Sequence, residues 1–207
     1  MAPGFTGWTE DFQRFFIGLE LDNSKAYFEA NKKTYLERVK GPMVGLLAAL
    51  EPEFGPGKIF RANRDIRFSA DKSPYKTNIA ATTERGGYVS LDARGLYAGG
   101  GHYHLERPQI EAYRGAVADG RSGAELARIV EKLEAEGYTV GGEELKKNPP
   151  GYPADHPRGR LLRHKRMYYM KDFGLQPWLG TGRAADRIAK VWRDGTPLTD
   201  WLGRVVG

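Results

Sequence analysis

Residues 58–77 read Lys-Ile-Phe-Arg-Ala-Asn-Arg-Asp-Ile-Arg-Phe-Ser-Ala-Asp-Lys-Ser-Pro-Tyr-Lys-Thr. Up to residue 76 the stretch holds six cations (Lys58, Arg61, Arg64, Arg67, Lys72, Lys76) against two carboxylates, Asp65 and Asp71, a local charge of 6 − 2 = +4. The whole chain carries +6. Phe60, Ile66, Phe68 and Tyr75 are spaced among the cations, so the segment can pack while presenting charge. Alternation with period two predicts a strand over 60–69, with Phe60, Arg64, Ile66 and Phe68 on one side. Arg61, Asn63, Asp65, Arg67 and Ser69 fall on the other. Arg64 then sits among apolar neighbours and needs a partner, because an unpaired buried charge costs several kcal/mol (roughly). Asp65, Asp71 and Glu84 are the acids in reach.

Two readings of the cations follow. In one they form internal ion pairs that fix the backbone. In the other, Arg61, Arg64, Arg67, Lys72 and Lys76 floor a site for an anion, and Tyr75 orients the ligand. Arginine suits the second role because its planar fork meets two oxygens at once. Asp71-Lys72-Ser73-Pro74 predicts a stiff loop. Pro74 fixes its own φ and pushes Ser73 extended, while Asp71 and Ser73 can close side-chain turns.

The run from Phe60 to Asn78 resembles the central motif of a bacterial family, domain of unknown function 2461. Other pieces match in order. Asn23-Ser24-Lys25, Tyr27-Phe28 and Asn31-Lys32 lie near the start, then Gly86-Gly87-Tyr88 and Gly99-Gly100-Gly101. Pro150-Gly151-Tyr152, Asp155-His156-Pro157, Leu161-Leu162-Arg163 and Lys165 follow. The resemblance implies a single cytosolic α+β domain and brings no activity with it. His102-Tyr103-His104 departs from the pattern, so no role passes to those histidines.

Composition narrows the chemistry. At 207 residues the chain can bury a full core. There are no cysteines, which removes disulfides, thiolate nucleophiles and cysteine-ligated metal. No apolar run approaches the roughly 18 residues of a membrane span, and the N-terminus lacks a signal pattern, so a cytoplasmic protein without a membrane partner is expected. A pI near 9.4 raises nucleic acid as an alternative partner. Residues 158–171 supply the second basic segment: Arg158, Arg160, Arg163, Lys165, Arg166 and Lys171, with no acid. Arg163 and Lys165 are its candidate site residues, with Tyr168 and Tyr169 as stacking platforms.

Around the basic stretch, Thr9-Glu10-Asp11 starts a helix with Phe12, Phe15, Phe16 and Leu19 on its apolar face. A second helix runs from Lys25, with a kink or division at Gly41-Pro42. Strands are expected over 77–83, 88–91, 96–105, 138–140 and 167–173. Short connections make them antiparallel neighbours. Pro108 opens one helix and Ser122-Gly-Ala-Glu125 caps the next. A helix over 182–192 and a last one capped by Thr196-Pro197 close the chain. The fold class is α+β: one domain, a largely antiparallel central sheet flanked by N-terminal and C-terminal helices.

No catalytic residue is assigned and no cofactor is implied. Gly99-Gly100-Gly101 lacks the Gly-Lys-Ser/Thr of a phosphate loop and reads as a bulge or close backbone approach. His102 and His104 alternate on one face but lack a third metal ligand. No serine lies in a Gly-x-Ser-x-Gly elbow. Cations around Asp65 and Asp71 lower their pKa values, the wrong direction for a general acid. The expected partner is a small phosphorylated or carboxylated ligand. Nothing in the sequence sets an oligomeric state.

Overall fold

Phe12, Phe15, Phe16 and Leu19 form the buried face of α1 (Asp11–Leu21) in the computed structural model, which describes residues 4–67 and 70–207. Ser24 then caps α2 (Lys25–Ala30) by accepting from the Tyr27 N–H at 3.1 Å. The second helical stretch is segmented before Gly41. It passes through α3 (Lys32–Thr34) and a π-helical turn, Tyr35–Lys40, into α4 (Gly41–Phe54). Pro42 sits in the first turn of α4, where a missing N–H is tolerated.

The architecture is α+β, with a six-stranded antiparallel sheet ordered β1-β2-β3-β4-β6-β5. The strands are β1 (Gly57–Ile59), β2 (Asn78–Thr83), β3 (Gly87–Asp92), β4 (Gly95–His102), β5 (Thr139–Gly141) and β6 (Met167–Gly174). Lys58 lies opposite Thr82 and Ala80 opposite Ser90. Between the sheet's halves in sequence run α5 (Arg107–Ala118), α6 (Gly120–Ala135) and the short α7 (Gly159–Leu162), and α8 (Arg183–Val206) ends the chain.

The chain divides into two compact units, residues 1–98 with 172–190 and residues 99–171 with 191–207. In the first, α1 and α4 pack on β1, β2 and β3 over a core that includes Phe16, Met43, Ile79 and Leu91. In the second, α5 and α6 pack together over Tyr113, Val117, Leu126 and Leu133, and the Tyr113 hydroxyl donates to the Leu161 carbonyl at 2.9 Å.

Three local expectations change. Asp119 caps α6, accepting from the N–H groups of Arg121 and Ser122, so the helix starts before the Ser122 pattern. Asp119 supplies the same kind of oxygen acceptor one turn earlier. Pro197 does not begin a new helix; α8 runs through it. Hydroxyls help to cover carbonyls there, Thr196 donating to Trp192 at 2.9 Å and Thr199 to Thr196 at 3.0 Å. Finally, β1 stops at Ile59 and no continuous strand follows over 60–67. The faces expected for Phe68 and Ser69 lie outside the described residues.

Candidate functional site

The basic stretch is a long hairpin excursion between β1 and β2. Its two limbs are tied by Phe60 N–H to Ala80 O at 2.9 Å, Lys76 N–H to Ala62 O at 2.8 Å and Arg64 N–H to Pro74 O at 2.9 Å. Asn63 and Tyr75 form an isolated antiparallel bridge. Side chains still alternate between outward and half-covered from Arg61 to Arg67, so the period-two pattern survives without a ladder. Phe60 is the exception, at 38% exposure.

Two of the six cations meet carboxylates. Arg64 pairs with Asp71, the second of the acids in reach. Arg67 forks onto Asp65, Nε to Oδ1 at 3.0 Å and Nη2 to Oδ2 at 2.7 Å. Hydrogen bonds from Ser73, reinforced by Arg64, hold the Asp71 carboxyl down to about 2. Arg67 likewise holds Asp65 below the usual carboxylate range, with a smaller contribution from the charge of Arg61. Lys72 donates its ammonium to the Ile66 carbonyl at 3.1 Å, bracing the tip. Lys76 lies 5.4 Å from the centre of the Phe60 ring, a cation–π contact.

Tyr75 takes a different place from the one its sequence position suggests. It is buried and stacked face to face on Phe28, centroids 4.1 Å apart and planes 4° from parallel. Its ring is thus part of the core, not a platform for a ligand. Its backbone is held by one side chain: Asn23 Nδ2 donates to Tyr75 O and Tyr75 N–H donates to Asn23 Oδ1, both at 3.0 Å. Asn23 reproduces the paired hydrogen bonds of a neighbouring strand. The early motif, Asn23 to Phe28, is therefore what seats the base of the basic hairpin. Sequence reasoning missed Asn23, and only its place in the shared motif hinted at it.

A profile of the family described as conserved hypothetical protein, DUF2461, matches residues 11–201. The chain belongs to this family. The match takes in the Asn23–Phe28 segment, the basic hairpin and the second basic segment together. A search of curated proteins finds no match.

The second basic segment is arranged unlike the first. Arg160 forks onto Glu134 at 2.7 and 3.0 Å, and Lys165 meets Glu143 at 2.6 Å. Arg166 reaches the same Glu143 at 3.5 Å while lying over the Tyr103 ring, and Arg163 approaches Glu144 at 3.8 Å. Arg158 donates to the carbonyls of Val117, Ala118 and Asp119 at the end of α5, and Lys171 donates to Glu136 O at 2.8 Å. Cations at helix C-termini complement the helix dipole there. Tyr169 is buried and edge-on to Tyr138, so it offers no stacking face, whereas Tyr168 is half-buried beside Tyr103.

Among the described residues, no group of three His, Cys, Asp or Glu side chains is placed to hold a metal ion. His104 pairs with Glu106 at 3.0 Å, and burial lowers the pKa of His102. Among the described residues, no helix is long and apolar enough to cross a membrane.

His164 is a buried polar group of another kind. It is 1% exposed, and neither ring nitrogen has a hydrogen-bond partner among the described residues. Glu144 Oε1 stops 3.6 Å from Nδ1. Burial pushes its pKa down, as do Arg160 and Arg163, while Glu144 and Glu134 pull the other way. Its folded pKa therefore lies below its unfolded value near 6.5. The folded state resists the proton, so the unfolded state binds more protons as pH falls. Stability is fully present above about 6.5 and declines below it, at up to about 1.4 kcal/mol per pH unit, until the folded pKa is passed. His102 adds in the same direction. Urea unfolding followed from pH 8 to 5 should show this decline, and His164→Asn should flatten it relative to wild type.

Proposed function

We propose that the 58–76 hairpin binds a small anion, a phosphorylated or carboxylated ligand, through Arg61, Lys58, Lys72 and Lys76. One observation carries this reading. After Arg64–Asp71 and Arg67–Asp65 are formed, the other four cations of the segment have no carboxylate partner among the described residues. The loop that carries them is braced by Asn23, Asp71 and the Lys72–Ile66 contact, so a ligand would meet groups already ordered. Arg64 and Arg67 then serve to hold the loop, and Arg61, exposed and making no ion pair, is the principal ligand contact.

The same logic favours this hairpin over a nucleic-acid stripe running through the second segment. There Arg160 and Lys165 already meet Glu134 and Glu143 at 2.7 and 2.6 Å, whereas Lys58, Arg61, Lys72 and Lys76 have no carboxylate among the described residues for a phosphate to displace.

Calorimetric titration with inorganic pyrophosphate tests the proposal. Arg61→Ala should weaken binding about tenfold or more, the loss of one charge-assisted fork. Arg67→Ala, whose guanidinium is engaged by Asp65, should weaken it less. Equal affinity of wild type and Arg61→Ala would overturn the reading. Tighter binding of a single-stranded oligonucleotide than of pyrophosphate, with a log–log salt slope near −0.7 per phosphate contact, would move the function to nucleic acid.

A further inference from the structure

Tyr35–Lys40 form a π-helical turn between α3 and α4. Gly41 N–H donates to Leu36 O, five residues back. The same register would pair the Glu37 carbonyl with residue 42, which is proline and has no N–H to give. Widened turns of this kind occur mostly as single bulges inside α-helices, frequently at functional sites. Glu37 and Arg38, within this turn, line one cavity of about 340 Å³. That volume is in the range of small-molecule sites, roughly 300–1,000 Å³. None of the lining residues comes from the 58–76 hairpin.

The wall is chemically two-sided. Phe5, Pro42 and Val44 line it with apolar surface, and Val44 is 49% exposed. Glu37 makes no ion pair among the described residues. Arg38 lies 3.8 Å from Asp11, Nε to Oδ2, and its half-exposed guanidinium makes no hydrogen bond among the described residues. An anion alone would meet Glu37, and a cation alone would meet Arg38. A ligand carrying both charges satisfies both.

We propose that this cavity binds a small apolar zwitterion of the α-amino acid type. Its ammonium meets the Glu37 carboxylate, its carboxylate meets the Arg38 guanidinium, and its side chain lies against Phe5, Pro42 and Val44. The probes are L-phenylalanine, phenylacetate and phenethylamine, which share one apolar body and differ in charge. Amide chemical shifts are followed up to about 20 mM ligand, enough to detect a Kd near 1 mM. L-Phenylalanine should bind at least about tenfold tighter than either singly charged probe. Arg38→Gln should weaken L-phenylalanine and phenylacetate but not phenethylamine, and Glu37→Gln should do the reverse for the two singly charged probes. Both side chains are exposed, so both variants should fold, and Arg61→Ala should leave the shifts that each probe induces around Phe5 and Val44 unchanged. Absence of shifts around Phe5 and Val44, a singly charged probe binding as tightly as L-phenylalanine, or variants that bind all three like wild type would each overturn the assignment.

Discussion

Gly99→Ala is expected to lose at least about 3 kcal/mol of stability, as overpacking adds to broken sheet hydrogen bonds. A β-carbon on Gly99 would lie 2.1 Å from Tyr169 O and 3.0 Å from both Met170 Cα and Tyr169 C. All three atoms are backbone of β6, so no side chain can swing aside. The β4–β6 ladder must separate locally instead. Gly115→Ala is the contrasting case. Gly115 is an exposed residue inside α5, and its added methyl would meet nothing within 4 Å. Helix propensity alone should then stabilise that variant by about 1 kcal/mol. Urea midpoints of the two variants should move in opposite directions. A Gly99→Ala protein as stable as wild type would mean that β4 does not approach β6 as closely as described.

The glycine pair also indicates what kind of information a sequence carries. Gly99-Gly100-Gly101 reads as close backbone approach, because the residues that would make it a phosphate loop are missing, and the close neighbour is indeed backbone. Periodic apolar residues are equally direct. The Phe12–Leu19 face of α1 is buried as its spacing predicts. Continuity is harder to read. Pro197 has the form of a helix start, but hydroxyls and the buried Leu198, Trp201 and Leu202 carry α8 across it. Tertiary packing outweighed a local signal there.

The candidate site was legible in composition and obscure in pairing. The excess of cations over acids in 58–76 is visible by inspection, and so is the need of Arg64 for a partner. Which acid answers it is a matter of loop geometry: Asp71, seven residues on, lies on the returning limb beside Arg64, where it also accepts from the Ser73 N–H. Tyr75 was ambiguous because a tyrosine can stack on a base or on a core ring with the same face. Phe28 occupies that face. For the second segment, the neutralising Glu134, Glu143 and Glu144 lie outside residues 158–171, so a local charge sum cannot register them.

Asn23→Ala should have the other large effect, about 2–3 kcal/mol of destabilisation, because it removes two hydrogen bonds and leaves the N–H and C=O of Tyr75 without their partner. The contact spans 52 residues and is polar to backbone, so no hydrophobic period announces it. Its loss should be felt beyond stability. Tyr75 anchors one limb of the hairpin through its bridge to Asn63, and Lys76 follows it directly. Freed of Asn23, the limb should fluctuate, and pyrophosphate affinity should fall although no cation has been removed. Asn23→Asp keeps an acceptor for the Tyr75 N–H but turns an oxygen toward the Tyr75 carbonyl, so it should not rescue. Ser24→Ala removes only the α2 cap, worth about 1 kcal/mol, and should leave pyrophosphate binding intact. If Asn23→Ala unfolds within about 0.5 kcal/mol of wild type, the range of ordinary surface changes, then Asn23 does not hold the hairpin. If it is destabilised yet binds pyrophosphate as wild type does, the ordered loop is irrelevant to the anion, and the cations act as a diffuse field instead.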